Sequence, residues 1–356
     1  MTTPTLVSPS WLRDAIARTF AGAGVSARGA AAVAEALVDA DMRGVPSHGT
    51  LLVPMYVERL RAGSVSTADE ADVVVDAGAV AVLDAGHALG VLTGDQAMAL
   101  AVAKAACHGV GVVTVRRAFH FGGAFRYVEA AVAAGCIGIA AANTRPLMPA
   151  PGGATPVVGN NPLAVGIPVA GAEPIVLDMA LSEAALGKIR LAAQEGRAIP
   201  ATWATDAQGR PTTDAQAAID GMLLPAAGHK GYGLALALDV LTGVLSGGGF
   251  GPHVRGLYAD MAAPNDCAHF FLALGLEAFG GIETVAARTA ELAAHATGGP
   301  RAPGVERLML PGQPEAERHA QARGHGVALD ASVLAALREA AAGVGVAVGA
   351  PEGVGA

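Results

Sequence analysis

Five short polar islands interrupt an otherwise apolar, glycine-rich chain, and each carries residue types that could do chemistry. The first, Asp41-Met42-Arg43-Gly44-Val45-Pro46-Ser47-His48-Gly49, sets a hydroxyl beside an imidazole at the end of a helical pattern. Its plain alternative is a capped turn. The second, Phe119-His120-Phe121-Gly122-Gly123, falls between a strand pattern and a helical one. A histidine there lies beyond the carboxyl end of a strand, where α/β folds bind ligands. Its ordinary pKa of about 6.5 suits proton transfer near neutral pH, although a histidine satisfied inside the core is the other reading. The third island joins Asn143-Thr144-Arg145-Pro146 to Gly159-Asn160-Asn161-Pro162, offering amide donors and acceptors to a ligand or simply forming turns. In the fourth, Asp178-Met179-Ala180 ends an apolar strand pattern, where a carboxylate can accept ligand hydroxyls or cap a helix. The fifth places His229, Lys230 and Gly231 at the start of an apolar helix. A helix N-terminus already favours anions, so an added cation there fits a bound phosphate or carboxylate.

The familiar signatures are missing. There is no GxxxxGK[ST], no GxGxxG opening a helix, and no HExxH. The three cysteines, Cys107, Cys136 and Cys267, form neither a disulfide framework nor a CxxC site, so no metal is expected. GVPSHG resembles a serine-hydrolase elbow, but Ser47 stands three residues after Gly44 where GxSxG requires two. Composition narrows the class further. With 52% hydrophobic and 15% charged residues, a sizeable core is assured and disorder is excluded as the main state. Twenty-three basic against 31 acidic residues give a net charge of −8, which argues against nucleic acid or an anionic membrane as partner. No basic start followed by an apolar stretch marks a signal peptide. The longest apolar run, near 130–142, is shorter than the roughly 20 residues a bilayer requires, so a soluble cytoplasmic protein is the expectation.

The elements that must position these islands are legible as patterns. Trp11, Leu12, Ile16 and Phe20 recur at helical spacing behind Ser10 as N-cap, and a second helix runs over 30–42. From about residue 70 the texture becomes α/β. A hairpin is expected over 73–85, and buried strands over 109–115, 137–143, 163–169, 174–180 and 269–275. Helices are expected over 92–107, 124–135 and 182–195, with a buried helix over 228–249 and two charged helices near the C-terminus. The tail from Gly343 has few side chains to anchor it and is expected to be mobile. The fold class is therefore mixed α/β.

In order along the chain, SHGTLLVPMYVERLRAG, HFGGAFRYVEAA, VVGNNPLAVGIP, IVLDMALSEAALGKI and LLPAAGHKGYGLALALDVLTGVLSG resemble the type-2 malate/L-lactate dehydrogenase family. That family also includes ureidoglycolate dehydrogenase, sulfolactate dehydrogenase and piperideine-2-carboxylate reductase. The resemblance extends from about residue 10 to 335 and includes RLMLPGQPE. It implies an NAD(P)-binding fold unrelated to the Rossmann fold, in keeping with the missing GxGxxG, and dimers or larger assemblies with active sites near the subunit interface. It implies a helical region of 1–70 with about 305–356 that serves dimerisation. The cofactor-binding α/β domain would be 71–115 with 150–304, and a small catalytic subdomain 116–149. His120 matches the catalytic acid/base. Ser47, His48 and Tyr56 match positions lining the substrate and nicotinamide pocket. Thr144, Asp178, Met179, Ala180 and Lys230 match positions holding the dinucleotide, with Asn160, Asn161, His229 and Gly231 as neighbouring candidates.

The chain departs from that pattern where substrate is chosen. Relatives commonly read SHG-x-x-Arg, whose arginine pairs with the substrate carboxylate; here the position is Leu52. A second carboxylate-binding arginine, as in ureidoglycolate dehydrogenase, matches Asn265. Leu cannot replace a bidentate Arg–carboxylate contact. Arg145 occupies a position that is often small or acidic in relatives, so either it takes over anion recognition or the substrate differs. The resemblance thus implies a dehydrogenase using NAD or NADP and acting on a small 2-hydroxy acid and its 2-oxo acid. Reduction of a cyclic imine acid and cofactor binding with little turnover are the rival readings.

Overall fold

The computed structural model describes residues 4–353. It opens with a short strand β1 (Thr5–Val7) and three helices, α1 (Pro9–Gly22), α2 (Ala27–Met42) and α3 (Val53–Ala62). Helix α1 begins at Pro9 with Ser8, not Ser10, at the cap position, because proline's fixed φ suits the first helical residue. The middle of the chain contains β2 (Asp72–Ala77), β3 (Val80–Asp84), α4 (Gly90–His108), β4 (Val110–Ala118), α5 (Phe125–Ala133) and β5 (Cys136–Ala142). There follow β6 (Met148–Pro149), β7 (Pro156–Val158), β8 (Leu163–Ile167), β9 (Ile175–Met179), α6 (Leu186–Gln194), β10 (Ala204–Thr205), α7 (Ala215–Ile219), β11 (Met222–Leu223) and α8 (His229–Asp239). The last elements are β12 (Cys267–Gly275), α9 (Ile282–Thr297), α10 (Gln313–His325), β13 (Val327–Leu329) and α11 (Ala331–Ala342). The expected hairpin, strands and helices are present, and the charged C-terminal helices number three rather than two.

Seven strands form one sheet in the order β2-β3-β4-β12-β5-β8-β9. Only the β3–β4 pair is parallel; every other neighbour in this sheet is antiparallel. The last long strand, β12, inserts between β4 and β5 at the centre. Its alternating side chains serve two cores: Phe271 packs with Tyr127 and Val128 beneath α4 and α5, and Phe270 packs with Ala141 and Leu238 on the opposite face. A third core lies outside the sheet, where Leu12, Ile16, Phe20, Leu37, Val53, Tyr56 and Leu60 from α1–α3 meet Leu334 and Leu337 of α11. The tail lies along this layer and is pinned there: Ala347 O accepts from Arg18, and Ser8 N–H donates to Glu352 O at 2.7 Å.

The helix expected over 228–249 is present but less buried than its sequence implies. It is α-helical from His229 to Asp239, passes through one π turn over Val240–Val244 and continues to Ser246, and it leaves Leu234, Leu236, Val240, Val244 and Leu245 exposed. A sequence that is apolar on all sides does not distinguish a helix enclosed by its own chain from one with an open face.

Helix α3 ties the helical layer to the sheet through Arg59, which is fully buried. Its guanidinium meets no carboxylate among the described residues. It donates to Leu257 O at 2.8 Å and 3.0 Å, to Ala263 O at 2.8 Å, to Gly256 O at 3.2 Å and to Ser64 Oγ at 3.3 Å. Carbonyl dipoles thus replace water around the cation, and the 256–263 loop is drawn onto α3. Each carbonyl left unpaired in a buried place costs about 1–3 kcal/mol. Arg59→Leu is therefore expected to lower unfolding stability by about 3 kcal/mol or more in urea titration. Arg59→Lys, which cannot fork to several carbonyls, should recover only part of that loss.

Candidate functional site

The sheet's topology brings the polar islands to one of its ends. The carboxyl ends of β4, β5 and β9 and the amino ends of β8 and β12 lie together, because β12 and β8 run antiparallel to their neighbours. His120 follows β4, Asn143 and Thr144 follow β5, Asp178 and Met179 close β9, and Asn265 precedes β12. A cavity of about 760 Å³ opens there, within the range of roughly 300–1,000 Å³ usual for small-molecule sites. Of the residues singled out in the sequence, Ser47, His48, Leu52, His120, Thr144, Arg145, Asn160, Asp178, Met179, Ala180 and Asn265 line it.

His120 stands on a backbone with little freedom. A Cβ at Gly90, where α4 begins, would come within 1.9 Å of Phe119 O, so α4 passes against this segment only because residue 90 has no side chain. Gly122, at φ +75°, then turns the chain into α5. From the other side α3 presents Tyr56, fully buried, with its hydroxyl 2.6 Å from His120 Nδ1 and 3.5 Å from His120 O. Tyr56 does not line the cavity; it lies behind His120, its ring edge-on to Phe119 at 5.0 Å. With Nδ1 engaged, Nε2 is the ring nitrogen left for a ligand.

The loop carrying Ser47 and His48 is closed by Asp41, whose carboxylate accepts from Thr50 N at 2.8 Å and Thr50 Oγ1 at 2.5 Å. Burial raises the Asp41 pKa to about 6 against the pull of these two bonds. Ser47 Oγ lies 3.0 Å from His48 Nδ1, and the His48 ring stacks on His120 with centroids 5.4 Å apart. A third imidazole, His269 of β12, is fully buried, stacks on Phe121 at 4.6 Å and also lines the cavity. No carboxylate contacts any of the three among the described residues. Burial, with His48 and His269 alongside, lowers the His120 pKa to about 3, and burial lowers His269 to about 3 as well. Burial also holds His48 below its usual value. His120 is thus a neutral imidazole near pH 7.

The remaining wall is built of amides and one carboxylate. Asn161 is fully buried and spends its amide on Thr144 N–H at 2.9 Å and Ala235 O at 2.9 Å, so it acts on the site by holding Thr144. Asn160 Oδ1 accepts from Thr144 Oγ1 at 2.9 Å. Asp178 accepts the Phe125 N–H at 2.9 Å, capping α5, and burial raises its pKa. Asn143 crosses the end of the sheet, accepting from Ala268 N at 2.7 Å and donating to Asp239 at 2.9 Å and Gly249 O at 2.8 Å. His229, Lys230 and Gly231 begin α8 outside the cavity lining, His229 and Lys230 exposed and Gly231 buried. Leu52 is a buried apolar part of the wall, and Asn265 donates its amide to Arg255 O, so neither presents a cation.

Among the lining residues that escape the sequence reading are His269, Arg190, Arg255 and Tyr258. His269 is hidden in the apolar run HFFLALG, and the other three belong to no recognisable motif. No cluster of potential metal ligands occurs among the described residues. None of the described helices is long and apolar enough to cross a membrane.

Comparison with known proteins supplies the chemistry that such a cavity serves. Residues 7–338 match the family described as Malate/L-lactate dehydrogenase. The chain is 35% identical over 321 residues to the NAD(+)-dependent ureidoglycolate dehydrogenase of Escherichia coli strain K12, covering 90% of this chain and 91% of that protein. It is 37% identical over 262 residues to the NADP(+)-dependent (2R)-3-sulfolactate dehydrogenase of Chromohalobacter salexigens, covering 72% and 78%. The solved structure of sulfolactate dehydrogenase from Methanocaldococcus jannaschii superposes with a TM-score of 0.91 at 33% identity over 97% of this chain and 98% of that one. The sequence match and the superposition both run through the sheet end that bears His120, and the chain belongs to the malate/L-lactate dehydrogenase family of NAD(P)-dependent oxidoreductases.

Proposed function

We propose that this protein interconverts a small 2-hydroxy acid and its 2-oxo acid, with His120 as the general acid/base. The observation that carries this reading is the Tyr56–His120 hydrogen bond at the cavity wall. A tyrosine hydroxyl both donates and accepts. In oxidation, Nδ1–H donates to the Tyr56 oxygen and the Nε2 lone pair takes the proton of the substrate hydroxyl, leaving an imidazolium. In reduction, that imidazolium keeps Nδ1–H on the Tyr56 oxygen and gives its Nε2 proton to the forming alkoxide, leaving the neutral ring. One contact thus supports both directions, holding the ring in place while its protonation state changes. Ser47 and His48 complete the wall beside it, and His48 stays neutral so that His120 can accept a proton without a second cation alongside.

The cavity fits a dinucleotide as well as a small substrate. Gly159 passes so close to Thr144 that a Cβ there would lie 2.2 Å from its Oγ1, which keeps backbone at the wall. Thr144, Asn160, Asp178, Met179 and Ala180 are the residues that would hold the cofactor; when bound, the nicotinamide supplies the hydride chemistry. The protein's own share is to orient the reactants, exclude water and move one proton at Nε2. The apolar row on α8 and the π turn suits burial against a second copy of the chain, and we include a homodimer or larger assembly in the proposal. Leu52 supports one second reading, reduction of a cyclic imine acid, whose ring an apolar wall accommodates.

Three outcomes are expected. His120→Asn should lower kcat by about 10²–10⁴-fold in nicotinamide absorbance assays, while NADH binding followed by fluorescence is retained. A variant turning over like wild type would end the proposal. Tyr56→Phe removes a hydrogen bond worth about 1–1.5 kcal/mol, so kcat should fall about tenfold with KM little changed. The third concerns pH. Because burial holds His120 near 3 in the free protein, kcat/KM for alcohol oxidation should stay level from pH 8 down to about pH 5. An unperturbed imidazole would instead lose half its activity near pH 6.5.

A further inference from the structure

Three arginines line the cavity without a carboxylate partner among the described residues. Arg145 comes from the loop after β5, Arg190 from α6, and Arg255 from the loop that Arg59 holds. Arg255 directs Nη1 to Pro264 O at 3.3 Å, whereas Arg145 and Arg190 make no side-chain hydrogen bond or ion pair among the described residues. The contrast with the other arginine on this wall is direct: Arg43 is held by Asp39 at 3.0 Å and Glu129 at 2.8 Å. The acids lining the cavity are spent elsewhere. Asp178 caps α5, and Glu315 pairs with Arg318 at 2.9 Å.

Arg145 and Arg190 are also close enough to repel. Burial, and then the positive charge of Arg190, hold the Arg145 guanidinium below its usual pKa. The Arg145 stem packs over Gly256, where a Cβ would lie 2.9 Å from Cδ, so its aliphatic part has a fixed seat on the 256–263 loop. Tyr258, from the same loop, also feels the charge of Arg190 and lines the same cavity. Both side chains are exposed enough to be hydrated, but neither has a carboxylate partner among the described residues, and each can fork to two oxygens of an oxyanion in the cavity.

We infer that Arg145 and Arg190 form the specificity-determining anion clamp of this enzyme, receiving an oxyanion of the bound ligand. This rests on the hydride-transfer reading for the nature of the ligand, which offers two sources of such an anion: the carboxylate of the 2-oxo acid and a phosphate of the cofactor. Leu52 and Asn265 present no cation, so recognition passes to residues on the loop after β5 and on α6.

The test uses the full chain and needs no turnover. Oxalate, the probe for a carboxylate, is titrated by calorimetry into wild type, Arg145→Ala, Arg190→Ala, Arg190→Lys and the control Arg318→Ala. NADH and NADPH are titrated in parallel. Weakening of oxalate by tenfold or more in both alanine variants, with partial recovery in Arg190→Lys and none of this in Arg318→Ala, supports the clamp and assigns it to the substrate. Weakening of NADPH alone, with NADH and oxalate unchanged, supports the clamp and assigns it to the cofactor phosphate. If all three probes bind both alanine variants as they bind wild type, the inference is overturned. A wild type that binds oxalate through this pair but oxidises no reduced nicotinamide with any 2-oxo acid would remove the proposed reaction and leave the clamp standing.

Discussion

A sheet strand buried on both faces has nowhere to show a polar group except at its ends. That constraint governs this molecule. Strand β12 contributes Phe270 to one core and Phe271 to another, and β5 beside it is lined with alanine and glycine so that helices can pack closely on both sides. His120, Thr144 and Asp178 are consequently displaced to the strand termini. Three carboxyl ends and two amino ends converge at one edge of the sheet. The cavity is formed where the two sheet cores stop and the helical layer begins.

The helical layer completes what the sheet leaves open. Helix α3 carries Tyr56 and Arg59 three residues apart, on one face. Tyr56 reaches forward to the His120 imidazole, and Arg59 gathers the carbonyls of the 256–263 loop. One rigid element therefore sets both the His120 ring and the loop that bears Tyr258 and underlies Arg145. Arg43, at the end of α2, adds a further strap through Glu129 and over the Phe125 ring at 4.4 Å. The polar contacts that join the layers are thus the contacts that shape the cavity.

Much of this was legible in the sequence, for physical reasons that differ from element to element. The strands ending at Ala118, Ala142 and Met179 are short β-branched or alanine-rich runs closed by polar residues, and such boundaries are local. The Gly122-Gly123 turn after His120 is equally local. His269 was not legible, because an imidazole within a continuous apolar strand has the pattern of packing. Arg190 and Tyr258 were not legible because their relation to Arg145 arises only when a helix and two loops meet. The burial of α8 and of the turn that follows it was overread, since apolar residues on all sides are compatible with either a closed or an open face. The resemblance to a known family carried His120 and the amide wall, and it also exposed Leu52 and Asn265 as departures, but it could not say which residues replace the lost cations.

Gly90 divides the site into two parts with different futures. Any side chain at that position meets the Phe119 and His120 carbonyls, so the contact of α4 with the backbone that carries His120 permits no gradual remodelling. Arg145 and Arg190 are different: they stand on other elements, the loop after β5 and α6. Sequence drift or laboratory selection on this scaffold is thereby channelled toward the walls of the cavity, while the backbone that carries His120 stays as it is.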